Sequence, residues 1–254
     1  MRSLAGFTGD VTTIAEVVAA LSEIRDASAA DLVRPEIDGI SAFTRLYTII
    51  TQNVLDTVEG RRPGRKFNDP EFLTRLDLEF ARRYLEAIAA YESGAPDTPA
   101  SWAVLFDRRR DQDIRHVNFA ACGVNAHVNF DLAFALLATW ADFPPNADRR
   151  ADYDRINEIF AEEMDELRED FGAFLADTRD GGVLDRFGNF ASDLVVRLTR
   201  SWAWDAAERV WEHRDPGRDS GGPAYRRAYD EERRSLDRAA SLAGWMVLEA
   251  PELP

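Results

Sequence analysis

Apolar residues recur at helical spacing along almost the whole chain. Thr13 and Glu16 form the pattern of a capping box, and Ile14, Val17, Val18, Leu21 and Ile24 follow on one face. A second helix is expected from Ser41 to a stop at Gly60, with Phe43, Leu46, Tyr47, Ile50, Val54 and Val58 facing inward. Asp69-Pro70 opens a third, since proline suits the first helical position. Its inner face is Phe72, Leu76, Phe80, Tyr84 and Ile88. A short helix at Trp102–Phe106 comes next. Further helices are expected from Tyr153 to Leu175, Ser192 to His213 and Pro223 to Leu248. No segment alternates with period two over the length of a strand. The pattern predicts an all-α, single-domain bundle over residues 1–254, about seven to eight helices around a buried central one. Turn-rich loops are expected near 60–68, 141–150 and 214–222.

The central helix is expected over Ile114–Trp140, about 27 residues and about 40 Å long. Its apolar residues lie all round the wheel, as in a helix buried on every side. Within it stand His116, Asn118, Cys122, Asn125, His127, Asn129 and Asp131, and each needs a partner if buried. His127 and Asp131 are one turn apart, and His116 falls close to the same line. Between them Ala120 and Gly123 leave a hollow. Asn118, Cys122, Asn125 and Asn129 form a second polar line nearly opposite. Which of the two meets a cavity is left open by the pattern.

Charge narrows the partners. The chain has 46 acidic and 31 basic residues, a net charge of −15. That surface repels nucleic-acid backbones and anionic membranes alike, so neither is an expected partner. A single cysteine rules out an internal disulfide and a multi-cysteine zinc site. The first ten residues lack the apolar run of a signal peptide, and the expectation is a cytoplasmic protein. Oligomeric state is not encoded in any of these features.

Three readings of the polar cluster stand. In the first, His127 is the acid/base of a small-molecule enzyme, of hydrolase or cyclase/isomerase type, acting on a hydrophobic metabolite. Asp131 orients the imidazole and raises its basicity, and Asn125 or Asn129 donates a hydrogen bond to substrate. Tyr47, Tyr84 and Trp204 are the candidates to line the apolar wall. In the second, the cluster is hydrogen-bonded glue inside a non-catalytic binding or scaffold protein. In the third, His127 and Asp131 hold a single divalent metal, with His116 or Asp152, Glu158 or Glu162 completing the three or four ligands that zinc requires. The cofactor is accordingly none or one divalent metal. Trp202 is expected in the core, and Cys122 as a small buried apolar group. GxSxG, P-loop, GxGxxG and HExxH motifs are absent.

The decapeptide Gly123–Leu132, GVNAHVNFDL, resembles the GxNAHxNxDL signature of an uncharacterised, mainly actinobacterial helical family, a domain of unknown function. The resemblance extends to FTRLYTIIT, DPEFLTRLDLEFARRYLEAI and DYDRINEIF. It implies an all-α single domain and no particular reaction. It also groups Asn125, His127, Asn129 and Asp131 as the family's defining cluster, with His116 outside it.

Overall fold

The computed structural model describes residue 4 and residues 11–30, 38–62, 66–157, 193–218 and 221–249, with backbone alone for 193–198. The helices are α1 (Ile14–Ala29), α2 (Gly39–Val58), α3 (Pro70–Glu92), α4 (Ala100–Arg108), α5 (His116–Ala126), α6 (Leu132–Trp140), α7 (147–157), α8 (Asp193–Trp211) and α9 (Gly222–Leu248). There is no strand among the described residues, and the architecture is an all-α bundle.

Local sequence starts several helices as expected. Thr13 and Glu16 complete both halves of the capping box, and Asp69 accepts from Phe72 N ahead of Pro70. Elsewhere the start lies upstream of the expected one. Asp38, not Ser41, caps α2, accepting from Ile40 N and Ser41 N while Arg109 Nε reaches it at 2.7 Å. Its carboxylate is fully buried, and the ion pair fixes the α4–α5 link against α2. Asn146 Oδ1 accepts from Arg149 N, so α7 begins at 147 inside the stretch expected as a loop. The rest of the helix expected to reach Leu175, the glycine turn at 180–182 and Ser192 lie outside the described residues.

Other ends are satisfied from across the fold. The start of α4 has no cap of its own, and Asp237 on α9 accepts from Ala100 N and Ser101 N. Asp152 on α7 accepts from Asn68 N, Asn68 Nδ2 and Asp69 N, tying the approach to α3 down. Asp38 and Asp237 thus satisfy backbone donors that the first turns of α2 and α4 would otherwise leave open.

The central element is α5, a five-residue π-helical turn (His127–Asp131) and α6, continuous from His116 to Trp140. By length and composition it could cross a membrane, but 89% of its most apolar window is buried inside the protein, as in a core helix. α2, α4 and α9 pack against α5, whereas α3 and α8 pack against α6. α3, α8 and α9 also touch the π turn. Gly123 allows α2 to approach α5 closely, because a Cβ there would lie 2.3 Å from Phe43 Cγ.

One face was mis-phased by the sequence pattern. Trp202 is 62% exposed, not core. The buried face of α8 is instead Ala203, Trp204, Ala206, Ala207 and Val210.

Candidate active site

The π turn contains the two residues that carry chemistry. Leu132 N–H bonds back five residues to His127 O, which widens the helix where His127 and Asp131 sit. Such single π turns recur at functional positions. His127 Nδ1 lies 2.9 Å from Asp131 Oδ2, and Trp102 Nε1 donates to the same oxygen, also at 2.9 Å. A carboxylate only accepts, so Nδ1 carries the imidazole proton and Nε2 presents its lone pair. Nε2 is buried and has no hydrogen-bond partner.

Aromatic rings hold the imidazole in place. Phe80 stacks on it with centroids 3.4 Å apart and planes within 7°. Tyr47 meets it edge-on at 4.6 Å, and Phe43, Trp102 and Tyr84 stand at 5.8, 5.8 and 6.1 Å. Burial lowers the pKa of His127 below the ordinary imidazole value, against the opposing hydrogen bond and charge of Asp131, with Arg83 adding to the depression. The imidazole is neutral at neutral pH, the form a general base requires.

A largely apolar cavity opens beside His127. It has about 60 Å³ for the centres of water-sized groups, and one water needs roughly 10–15 Å³ by that measure. α2 contributes Phe43, Tyr47, Ile50 and Val54, α3 contributes Leu73, Leu76, Asp77 and Phe80, and the central helix contributes Val124, His127, Val128 and Leu132. Ile156 and Arg200 complete the wall. Arg200 is buried, its guanidinium 4.4 Å from the Tyr153 ring centroid and its Nη2 donating to Tyr153 O. Burial lowers its pKa.

Asp77 is the functional group the sequence pattern missed. The residue as a whole is partly covered, but its Oδ2 is sealed from solvent and unpartnered. Burial pushes its carboxyl up to about 7. Tyr47 is driven well above the ordinary phenol value, first by burial and then by Asp77. Its Oη and Thr51 Oγ1 approach one another without reaching hydrogen-bond geometry. The sequence signal for Asp77 is a carboxylate one position from Leu76 and three from Phe80, within the apolar stripe of α3.

The expected site residues thus separate. His127 and Tyr47 line the cavity, and Asp131 stands behind His127. Tyr84 belongs to the ring shell, its Oη 2.7 Å from Thr44 Oγ1, and does not line the cavity. Trp204 is in the core against Trp140 and Tyr153, away from it. Asn125 and Asn129 point to the other side of the helix. Asn125 Nδ2 donates to Ala240 O of α9 at 2.7 Å, Asn118 Nδ2 to Val247 O at 3.1 Å, and Asn129 Nδ2 to Asn125 Oδ1 at 2.9 Å. A role as substrate donors in the His127 cavity does not fit that direction. Cys122 on the same side is buried against Gly244, and burial pushes its thiol up to about 12.

The metal reading finds no ligand set. No three His, Cys, Asp or Glu side chains converge among the described residues. His116 starts α5 eleven residues from His127, about 16 Å along the axis. Asp152 is committed to the Asn68–Asp69 backbone. Glu158 and Glu162 lie outside the described residues.

Residues 14–250 match a family of unknown function (DUF5995), in agreement with the decapeptide's resemblance. No curated protein and no solved structure matches the chain.

Proposed function

The chain belongs to the family of unknown function DUF5995, and we propose that it is a small-molecule enzyme with His127 as general base. The observation that carries this reading is the unpartnered Nε2 of a neutral, carboxylate-oriented imidazole on the wall of an apolar cavity. A buried nitrogen left without a partner costs about 1–3 kcal/mol, and a ligand or an attacking water is the partner it lacks. Asp131 keeps the tautomer and stabilises the imidazolium formed when Nε2 takes a proton. Trp102 keeps the carboxylate in line. The apolar wall suits a hydrophobic metabolite, and a hydrolase or a cyclase/isomerase would use one such base. A cytoplasmic location belongs to the same reading.

The test is turnover of a panel of hydrophobic esters, lactones, epoxides and enolisable ketones by wild type and His127→Gln. Wild type is expected to act on at least one class, and the variant to lose roughly 10²–10⁴-fold while keeping its helical circular dichroism. The acid limb of kcat/KM should fall below pH about 6.5, because burial lowers the pKa of the base from that ordinary value. Equal rates in the two proteins would end the proposal.

A second reading, hydrogen-bonded glue in a non-catalytic protein, is favoured by one observation. Asp131 Oδ2 binds both His127 and Trp102 within a tight ring shell. It predicts a large stability loss in His127→Gln and no turnover by wild type.

A further inference from the structure

The cavity holds a second polar group that the general-base reading leaves unused. Asp77 lies on α3 three residues before Phe80, the ring stacked on His127, so Asp77 and His127 open on the same cavity from different helices. Asp77 Oδ2 and His127 Nε2 are both buried and both unpartnered. With Nδ1–H given to Asp131, Nε2 can only accept, whereas a carboxyl that keeps its proton can donate. The two groups therefore offer complementary hydrogen bonds to an occupant of the cavity they share.

Among the described residues, the other polar groups facing Asp77 are few. Tyr47 comes from α2, His127 from the central helix with Asp131 behind it, and Arg200 from α8. Arg200 is directed at the ring and carbonyl of Tyr153. It does not contribute to the shift at Asp77, which burial alone produces. A carboxylate entering here would lose its water to a largely apolar wall and meet the His127 lone pair, and the guanidinium on that wall, Arg200, is already directed at Tyr153. The α2 stripe from Phe43 to Val54 runs about 16 Å, so the wall is long as well as apolar.

We propose that this pocket takes an uncharged, elongated, mainly apolar molecule with one oxygen function, which accepts a hydrogen bond from the Asp77 carboxyl while its acidic hydrogen faces His127 Nε2. The proposal rests on the general-base reading of His127 and adds the substrate class. Asp77 polarises the oxygen, and His127 removes the proton that this polarisation makes acidic. The acid form of Asp77 is well populated at neutral pH and is lost as pH rises past about 7.

The test is calorimetric titration of the intact protein with methyl octyl ketone and with decanoate between pH 6.5 and 8.5, a window above the lowered pKa of His127. The ketone is expected to bind wild type, with an apparent Kd that rises up to about tenfold per pH unit above 7, because only the protonated fraction is competent. Asp77→Asn should bind the ketone with no such slope, since its amide donates at every pH. Asp77→Leu should bind about tenfold or more weakly. Decanoate should bind at least about tenfold more weakly than the ketone. Ketone binding that is flat with pH in wild type, or tighter binding of decanoate, overturns the proposal and leaves the general base untouched. Failure of methyl octyl ketone to bind folded wild type at any pH overturns the proposal, and equal turnover by His127→Gln remains the separate failure of the general base.

Discussion

The two faces of the π turn are built to opposite rules. On the α9 side every asparagine amide has found a mate: Asn118 and Asn125 donate to the α9 carbonyls of Val247 and Ala240, and Asn129 donates to Asn125. On the α2–α3 side, His127 Nε2 and Asp77 Oδ2 have found none, although both are sealed from water. A cavity adjoins each side, so the difference is not one of open space. It lies in which polar groups the fold has satisfied. Satisfied amides fix how α9 docks, and unsatisfied groups keep a capacity to bind that folding has not consumed.

The largest way to break this contrast is Gly123→Ala. The new Cβ would fall 2.3 Å from Phe43 Cγ and 2.7 Å from Phe43 Cβ, on a ring that supports His127. A loss of about 3 kcal/mol in urea unfolding is expected, and the gain in helix propensity of about 1 kcal/mol does not offset the strain.

Asp77→Asn works in the other direction. The native carboxyl holds its proton up to about pH 7, against an ordinary value of 3.8. Between those values the native state binds a proton that the unfolded chain has released, so this group's contribution to stability falls as pH rises from about 4 to 7 and stays lost above. The displacement corresponds to roughly 4 kcal/mol. The asparagine variant should recover about 2–3 kcal/mol of that at pH 8, its amide remaining unsatisfied, and almost nothing at pH 4. His127 has the opposite sign: its lowered pKa costs stability as pH falls below about 6.5. A variant no more stable than wild type at pH 8 would show that Asp77 is not buried as a charge.

The smallest effect sharpens the contrast most. Asn125→Ala should cost about 1–2 kcal/mol by removing one buried hydrogen bond and orphaning Asn129. It should leave methyl octyl ketone affinity at the His127 pocket unchanged within about twofold, an expectation that follows from the opposite directions of the two faces. A large fall in affinity would place Asn125 back among the substrate contacts.

What the sequence disclosed was what local chemistry decides. Thr13 with Glu16, Asp69 with Pro70 and the two polar lines of the central helix are all legible because each depends on neighbours within a few positions. The periodic pattern puts Trp202 in the core because large residues dominate it, while the buried face of α8 is lined largely by alanines around Trp204. Ser41 is as good a cap as Asp38 by sequence, and only the distant Arg109 distinguishes them. Asp77 was invisible for a deeper reason. Its environment is made by residues of α2, the π turn and α8 that lie more than twenty positions away from it in sequence. The π turn left no signature either, since nothing in HVNFD sets it apart from ordinary helix. The direction of Asn125 and Asn129 likewise had to wait for the position of α9.

The face-to-face contact of Phe80 with the His127 imidazole also has a magnetic consequence. Protons of a ring held 3.4 Å above another lie in its shielding cone, so the carbon-bound protons of His127 should resonate far upfield of ordinary histidine signals. With only three histidines in the chain, and His116 and His213 at helix ends, that resonance would stand alone in a simple proton spectrum. Any guest that wedges between the rings would move it. The pocket thus contains its own spectroscopic tag, readable without label or substrate.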